Sequence, residues 1–372
     1  IPDVKEWSRK GKAWFELEIA YQIYPDGTFL QFSMNYHRVV IQLLSLGISI
    51  TEKNKKPFGN NVYEKAYKSL NFLYQCLQEE NGYLPNYGAN DGAWFFPLSD
   101  TNYRDFRPQL NTLHKILTQK KLYQDPDLTE DACWVIGEGK EVSKQVKKPV
   151  TKKTGTISFE TGGYYLLRTL NSFSFIRCGN HKDRPSHADN LHLDVWVKGE
   201  NVLRDSGTYK YNTDKKYQDY FTGSQGHNTV MVDGKSQMLK GNRFIWYFWS
   251  QSNEASWTET DNAYIFKGSI SAFRFINPDC THSRTIEMAK NDLKWVVEDE
   301  ISNTIGLTKS QIWHHDEYNW GIGAVSDDSK TINGQKGTSY NSIGYGQKLK
   351  SKASIFKFQN TIKTTLVYNI NN

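Results

Sequence analysis

The first third of the chain carries its apolar side chains at helical spacing. Within residues 3–24, Trp14, Leu17 and Tyr21 fall at positions i, i+3 and i+7, and a Pro-Asp-Gly turn at 25–27 ends the run. Further helices are predicted over residues 34–46, 61–78 and 106–118. The pattern therefore predicts a helical N-terminal part.

From residue 156 onward the pattern changes to short β-branched and aromatic runs between Gly, Asn and Asp turns. Many short strands with turn signals between them are typical of an antiparallel sandwich. Strands are predicted over residues 164–168, 173–177, 191–197, 201–203, 229–232, 245–249, 263–267, 283–288, 293–298 and 364–368. We therefore predict an α+β multidomain chain with a helical domain over 1–125, a linker over 126–155 that includes a Lys-rich segment, and a β-sandwich over 156–372.

Composition narrows the class of protein. At 372 residues the chain is long enough for two domains, and no apolar run approaches membrane-spanning length. Aromatic residues make up 14% of the chain, with 11 Trp and 22 Tyr, which suits either a sandwich core or sugar binding. The net charge of +6 favours an acidic partner, and no nucleic-acid-binding motif is present. The four cysteines form no CxxC pair, so no disulfide framework is indicated.

The strand-rich part holds two histidines and a carboxylate that suit a metal ion. His187, Asp205 and His227 are 18 and 22 residues apart, and each lies beside a predicted strand. Two imidazoles and one carboxylate are a suitable donor set for zinc or a similar divalent ion. His192 is an alternative ligand. The spacing alone is weak evidence, because unrelated polar residues at strand ends would show it as well.

Two segments resemble one known family. Residues 184–238 contain RPSHADNLHLDVWVKGENVLRDSGTYKYN and GHNTVMVDGKSQM, and residues 5–44 read KEWSRKGKAWFELEIAYQIYPDGTFLQFSMNYHRVVIQLL. Both resemble heparinase II/III-like polysaccharide lyases, in the expected order along the chain. The resemblance implies a truncated (α/α) toroid followed by an antiparallel β-sandwich. It also implies an extracytoplasmic location, and further helices upstream of Ile1 that would include the Asn or His neutralising the substrate carboxylate.

The resemblance also implies a reaction, the β-elimination of a uronate-containing glycan. In the related lyases the tyrosine of a DG…S…YH segment transfers the protons, and residues 26–37 contain this pattern with Tyr36 and His37. Tyr36 shares a helical face with Val40 and Leu43, so packing in the core is the alternative. His37 would neutralise the substrate carboxylate or hold the Tyr36 oxygen, or would be a structural histidine.

One position departs from the family pattern. In several relatives a catalytic histidine lies two residues before the metal-binding histidine, whereas here that position is Pro185. Either His187 itself faces the substrate, or Arg184 supplies the positive charge, since a guanidinium pairs with a carboxylate in a bidentate way. With His187, Asp205 and His227 as ligands, the metal, zinc by expectation, would be structural.

The other candidates for contacts with sugar are polar side chains near the predicted loops and helix starts. For the arginines among them, surface pairing with aspartate is the alternative. They are Gln31, Asn35, Tyr87, Asn90, Asp91, Arg104 and Arg107.

The sequence thus favours a polysaccharide lyase acting on an acidic uronate glycan, with no nucleic-acid partner. A non-catalytic protein that binds acidic glycans on the same scaffold is the alternative, and Pro185 favours it. A glycoside hydrolase would need two carboxylates across a cleft, and nothing marks Asp91 and Asp189 as such a pair. No oligomeric state is indicated.

Overall fold

The chain divides into two compact units. The computed structural model describes residues 4–137, 147–315, 319–326 and 329–370. The first unit comprises Ile1–Leu84 and Ala93–Lys153, and the second comprises Pro85–Gly92 and Thr154–Asn372. The segment assigned to a linker, 126–155, contains a helix and belongs to the first unit up to Lys153. Its Lys-rich segment spans 140–153, of which residues 140–146 lie outside the described residues.

The first unit is helical, and each of its four predicted helices is present. Its helices are α1 Val4–Gln22, α2 Met34–Lys53, α3 Asn60–Cys76, α4 Arg107–Thr118 and α5 Glu130–Ile136. The fifth was not predicted, because seven residues are too few to show a helical period. On α2, Ile41, Leu44 and Ile48 lie at helical spacing and are fully buried. Burial of this apolar stripe holds the helix in place.

The turn before α2 orients the segment that carries Tyr36. Gly27 has φ +94°, and a Cβ there would lie 2.2 Å from the backbone of Lys68, so only glycine fits. Ser33 is extended and caps α2, with its Oγ accepting from the Tyr36 N–H at 3.0 Å. Tyr36 therefore stands in the first turn of α2, held through its own backbone.

In the part of the chain that the structure describes, the second unit is built from antiparallel strands and one α-helix of eight residues. Its helix is α6, Lys215–Thr222. Its strands are β1 Gly155–Phe159, β2 Tyr164–Arg168, β3 Ser172–Arg177, β4 Leu193–Val197, β5 Glu200–Leu203, β6 Val230–Val232, β7 Leu239–Lys240, β8 Trp246–Tyr247, β9 Gln251–Glu259, β10 Ala263–Ser271, β11 Thr281–Ala289, β12 Lys294–Ile301, β13 Lys309–His315, β14 Trp320–Ser326, β15 Thr331–Ile332, β16 Gln335–Asn341, β17 Leu349–Phe358 and β18 Thr361–Tyr368.

Two large sheets share one core. One sheet has the order β1-β2-β3-β4-β5-β13-β17-β16 with β6 paired to β13, and the other has the order β15-β14-β18-β12-β11-β10-β9. Burial alternates along β11 and β12, so every second side chain faces the core. Tyr165 of the first sheet and Phe266 of the second meet with ring centroids 5.1 Å apart. The predicted fold class, helices followed by an antiparallel sandwich, is confirmed.

A buried ionic network joins the two sheets. Arg284 on β11 donates from Nε and Nη2 to the two carboxylate oxygens of Asp299 on β12, both at 2.7 Å. Gln311 on β13 donates to the same carboxylate at 2.7 Å. The Nη1 group of Arg284 donates to the carbonyls of Leu191 and Asn228 at 2.6 Å each. The network therefore holds two loops of the first sheet against the second sheet.

One predicted strand differs in extent and place. The run 245–249 forms only the two-residue strand β8, which pairs with β7 in a separate small sheet. Trp246 is buried, but its neighbours Ile245 and Tyr247 are exposed, so the run has no second buried residue to seat it in the sandwich. Among the described helices, none has the length and hydropathy needed to cross a membrane.

Candidate metal centre

Three loops of the second unit bring the predicted metal ligands together. His187 lies between β3 and β4, Asp205 follows β5, and His227 precedes β6. One ligand atom from each of these residues lies within 4.8 Å of the others. The side chains are 1%, 1% and 0% exposed. The sequence therefore identified a set of residues that the fold does assemble.

Backbone hydrogen bonds between distant segments cause this convergence. The Ala188 N–H donates to the Thr222 carbonyl at 2.8 Å, and the Ser224 hydroxyl donates to the Ala188 carbonyl at 2.8 Å. The Ser206 N–H donates to the Gly226 carbonyl at 3.1 Å. Residues adjacent to each ligand thus form hydrogen bonds with the loop that carries another ligand.

Glycine at 207 is required beside the carboxylate ligand. Gly207 has φ +81°, and a Cβ there would lie 2.3 Å from the carbonyl oxygen of Ser342. Its N–H donates to the Oδ1 of Asp205 at 2.7 Å. The tight turn therefore orients the carboxylate, and the pattern Asp-Ser-Gly over 205–207 follows from it.

His192, the alternative ligand, lies outside the group. Its Nδ1 accepts from the Asn228 N–H at 2.9 Å, and its Nε2 lies 3.8 Å from Asp194. Asn228 also donates from Nδ2 to the carbonyls of Leu193 and Arg204 at 2.8 and 3.1 Å. His192 therefore helps to fix the strand ends beside the centre.

The charges of His187 and Asp205 suit metal binding. Burial lowers the pKa of His187 to about 3, so its imidazole is neutral. Burial alone would raise the pKa of Asp205, but the adjacent His227 and its hydrogen bond lower it to about 2. For His227, burial opposes the charged form, but the Asp205 carboxylate overrides it and raises the pKa. An ionised carboxylate and a neutral imidazole are the forms that bind metals.

Buried ring nitrogens without hydrogen-bond partners show whether these residues fit a metal ion. Neither ring nitrogen of His187 has a hydrogen-bond partner among the described residues, and the same holds for Nε2 of His227. The Nδ1 of His227 lies 2.8 Å from Oδ2 of Asp205. Buried nitrogens without partners are costly unless something binds them. The residues therefore fit a divalent metal, which His187, Asp205 and His227 would hold.

We expect His187→Gln to weaken divalent metal binding by more than the roughly 10- to 100-fold that loss of an outer-sphere partner costs. The amide cannot replace the imidazole nitrogen that donates to the metal. Calorimetric titration of the metal-stripped protein with Zn²⁺ measures this, together with the metal-induced rise in Tm. His114→Gln is the matched control, because His114 is a buried histidine whose Nδ1 already bonds the Lys120 carbonyl at 2.7 Å. Equal affinity of both variants would contradict the assignment.

A second buried group beside the centre has no signal in the sequence. Arg177 Nε donates to the hydroxyl of Tyr87 at 3.0 Å, and that hydroxyl hydrogen-bonds with Asp189. Tyr87, a predicted sugar contact, is 2% exposed. Burial raises the pKa of Asp189, although the charge of His227 opposes the shift. The position of Tyr87 points to a structural role, because its side chain is buried and its hydroxyl bonds Arg177 and Asp189.

The predicted catalytic pair of the first unit has one member near the surface and one inside. Tyr36 is half-buried. His37 is 1% exposed, its ring stacks on Phe72 at 5.5 Å, and its Nε2 bonds the Ser69 hydroxyl. Burial lowers the pKa of His37 to about 3. A neutral, buried imidazole cannot neutralise a substrate carboxylate, so the structural interpretation of His37 is the one that its environment supports.

Two further sugar candidates are engaged inside the first unit. Asn35 is buried, and its Oδ1 accepts from Arg38 Nη2 at 3.0 Å and from the hydroxyl of Tyr103. Arg107 donates from Nε and Nη2 to the two oxygens of Asp105 at 2.9 and 2.6 Å, respectively. Both residues thus stabilise the helical unit. For Arg107, the contact is the pairing with aspartate that the sequence analysis gave as the alternative to a sugar contact.

Four candidates lie nearer the surface. Gln31 and Asp91 are exposed, and Asn90 is half-buried with its Oδ1 accepting from a backbone N–H in its own loop at 2.7 Å. Arg104 is half-buried, with its guanidinium 4.6 Å from the ring of Tyr83. Gln31 and Arg104 belong to the first unit, and Asn90 and Asp91 to the second.

Arg184 and His187 have opposite environments within the second unit. Arg184 is exposed, with its guanidinium 5.5 Å from the ring centroid of Phe244, whereas Pro185 and His187 are buried. Arg184 and His187 were the two alternatives for a positive charge near the substrate. Only Arg184 carries a solvent-exposed positive charge, because His187 is buried and neutral.

Comparisons with known proteins point to one family. Residues 151–321 match the sequence model described as "Heparinase II/III-like, C-terminal". These residues include all three ligands of the candidate metal centre. A heparin-sulfate lyase of Pedobacter heparinus is 21% identical over 373 residues, which cover 95% of this chain and 52% of that protein.

Solved structures agree with the predicted fold. A crystal structure of heparinase III superposes with a TM-score of 0.73 at 14% identity, covering 100% of this chain and 58% of that one. A heparan sulfate lyase of Pedobacter heparinus superposes with a TM-score of 0.70 at 15% identity, covering 100% of this chain and 57% of that one. The chain therefore spans just over half the length of the proteins that it matches.

Proposed function

We propose that this chain belongs to the heparinase II/III-like family and acts as a polysaccharide lyase on an acidic, uronate-containing glycan. The observation that carries the proposal is the buried group of His187, Asp205 and His227 inside the span that matches the family. Its ligands were selected from the sequence as a metal centre of this class of lyase, and their side chains meet within 4.8 Å.

The proposed reaction is a β-elimination. A base removes the C5 proton of the uronate, the C4–O4 bond breaks, and a C4=C5 double bond forms while O4 leaves with a proton. No oxidant or co-reactant is needed. We propose that Tyr36 performs both proton transfers: its phenolate takes the C5 proton, and the resulting phenol returns a proton to O4. The half-buried position of Tyr36 in the first turn of α2 supports this role.

The uronate carboxylate must be neutralised so that C5 becomes acidic. Within the second unit, we propose that the exposed guanidinium of Arg184 binds an acidic group of the glycan through two parallel hydrogen bonds. Gln31, Asp91, Asn90 and Arg104 are proposed sugar contacts because their side chains are at least partly exposed.

A metal held by these residues, which we propose to be zinc, would have a structural role. It would neutralise the charge of Asp205 and cross-link the three loops that carry His187, Asp205 and His227. All three ligands are buried, so substrate does not reach them. We also propose an extracytoplasmic location, because that is where acidic polysaccharides are encountered.

A second candidate is a non-catalytic protein that binds acidic glycans. The observation in its favour is Pro185, which is buried at the position where the family resemblance led us to expect a catalytic histidine. Such a protein would retain the metal centre and the basic surface residues, and Tyr36 would contribute no chemistry.

We expect ultraviolet absorbance to rise when the protein is mixed with one of a panel of uronate polysaccharides. Elimination leaves a C4=C5 double bond conjugated to the carboxylate, whereas hydrolysis produces none. The panel contains heparan-type, chondroitin-type, alginate and capsular polymers, with a neutral glucan as the matched control. A flat trace on every polymer, with binding still detected by calorimetry, would contradict the lyase proposal and favour the glycan-binding protein.

A further inference from the structure

A cavity of about 360 Å³ lies in the second unit, outside the metal centre. Its walls come from the segment that follows β5, from α6 and from the turn between β7 and β8. Pockets of about 300–1,000 Å³ are the usual size for small-molecule sites. The cavity is therefore large enough for one sugar residue of a chain.

Three cations line this cavity. They are Lys210, Lys240 and Arg243, and none of the lining residues that the structure describes is an aspartate or glutamate. The carboxylate of Asp219, which acts on Lys240 from nearby, is engaged by Lys215 at 2.5 Å. An excess of positive charge on a concave wall favours an anion, since low-dielectric walls concentrate the field.

Two aromatic side chains form another part of the wall. Tyr211 and Phe244 both line the cavity, and their ring centroids lie 5.1 Å apart in an edge-to-face arrangement. Phe244 is 41% exposed, and the guanidinium of Arg184 lies 5.5 Å from its ring centroid. Exposed ring faces pack against the apolar face of a sugar, and a tyrosine adds a polar hydroxyl.

Amides and hydroxyls complete the lining. Asn212 and Gln218 carry amide groups, and Thr222 belongs to α6. The Thr222 carbonyl accepts the hydrogen bond from Ala188, the neighbour of His187, so the cavity wall and the metal centre share a backbone contact. A metal-stabilised loop would thus keep this wall in position.

We propose that this cavity is a subsite for an anionic sugar residue, with its ring against Tyr211 and Phe244 and its sulfate or carboxylate on Lys240 and Arg243. The assignment rests on the proposed function, because it makes the cavity one of the places where an acidic glycan is held. Three cations, with Arg184 next to them, also accommodate a sugar with more than one negative charge, so a sulfated uronate is expected to bind more tightly than an unsulfated one.

Calorimetric titration of the full chain tests the subsite. The background is Tyr36→Phe, so that no turnover disturbs the measurement. The probes are a sulfated uronate tetrasaccharide, its unsulfated counterpart, a neutral tetrasaccharide and inorganic sulfate. We expect K240Q and R243Q each to weaken binding of the sulfated probe about tenfold, and the double variant about 100-fold. The neutral probe and sulfate alone should bind weakly and equally to all proteins.

Lys267→Gln is the matched control, because Lys267 is an exposed lysine of β10 that does not line the cavity. R243E provides a second variant, at an exposed position. Unchanged affinity in K240Q, R243Q and R243E would overturn the subsite. If the unmodified chain gives an absorbance signal on a polymer but the cavity variants bind the probe unchanged, the subsite is overturned and the lyase proposal stands. Weakened binding without any elimination by the unmodified chain would support the subsite and overturn the lyase.

Discussion

Tyr36→Phe is expected to lower kcat of the elimination about 100- to 10,000-fold with little change in KM, the range that a general acid–base group contributes. The phenyl ring preserves the packing on α2 but can neither accept the C5 proton nor donate one to O4. The Ser33 cap bonds the backbone of residue 36, so it survives the substitution. Initial rates of absorbance increase on the polymer that gives a signal measure the effect.

Tyr67→Phe is the control for this experiment. Tyr67 is a half-buried tyrosine on α3 in the same unit, and the same hydroxyl is removed. Its rate should match that of the unmodified protein. A Tyr36→Phe protein that retains the full rate, with Tyr67→Phe also unchanged, would show that another group moves the protons. Tyr36 would then be a packing residue of α2, as its spacing from Val40 and Leu43 allows.

Asp299→Asn is expected to lower the free energy of unfolding by about 3–5 kcal/mol, the usual cost of leaving a buried charge without its partner. Arg284 is buried and bonds both carboxylate oxygens, so the amide leaves its guanidinium without a counter-charge. Because Arg284 also holds the carbonyls of Leu191 and Asn228, the loops beside the metal centre should loosen as well. Urea unfolding monitored by tryptophan fluorescence measures the change.

Glu298→Gln provides the comparison. Glu298 is the exposed neighbour on β12, and the same carboxylate-to-amide change there should alter stability by no more than about 0.5 kcal/mol. A loss below about 1 kcal/mol in Asp299→Asn would show that the Arg284 charge is compensated by other groups.

The same carboxylate predicts a dependence on pH. Burial alone would raise the pKa of Asp299, but the charge of Arg284 and the bonds from Arg284 and His282 lower it. A carboxyl whose folded pKa is depressed stabilises the fold above its unfolded pKa of about 3.9, and that contribution is lost as the pH falls below this value. The free energy of unfolding of Asp299→Asn should therefore decline less steeply on acidification. Parallel pH profiles for the variant and the unmodified protein would contradict this origin of acid sensitivity.

The helices α1 to α4 and the core strands β2, β3, β11 and β12 were predictable because their signal lies within a few neighbouring residues. The apolar stripe of α2 and the alternation along β11 follow from the periods of helix and strand. Strand β9, Gln251–Glu259, was missed because only two of its nine side chains, Ala255 and Trp257, are apolar, and it lies at the edge of its sheet. Strand β9 is held by its hydrogen bonds with β10, which the pattern of apolar residues in β9 does not predict.

The residues of the candidate site likewise fall into those that the sequence could identify and those whose environment it could not predict. Residue chemistry and a family resemblance were enough to name His187, Asp205 and His227, and the fold brings them within 4.8 Å. The same reasoning placed Tyr87 and His37 at the substrate, whereas burial encloses both. Whether a polar side chain points into the core depends on residues far away in the sequence, such as Arg177 for Tyr87.

The amino-acid sequence by itself determined the helical and strand-rich parts and named the candidate metal ligands, because propensity, period and donor chemistry are local properties. Only the tertiary structure decided which polar groups are buried, which histidine stays outside the centre, and that Lys240 and Arg243 face one cavity. The physical reason is that these properties depend on hydrogen bonds and packing between segments distant in the chain. The bonds from Ala188 to Thr222 and from Ser206 to Gly226 are two such contacts.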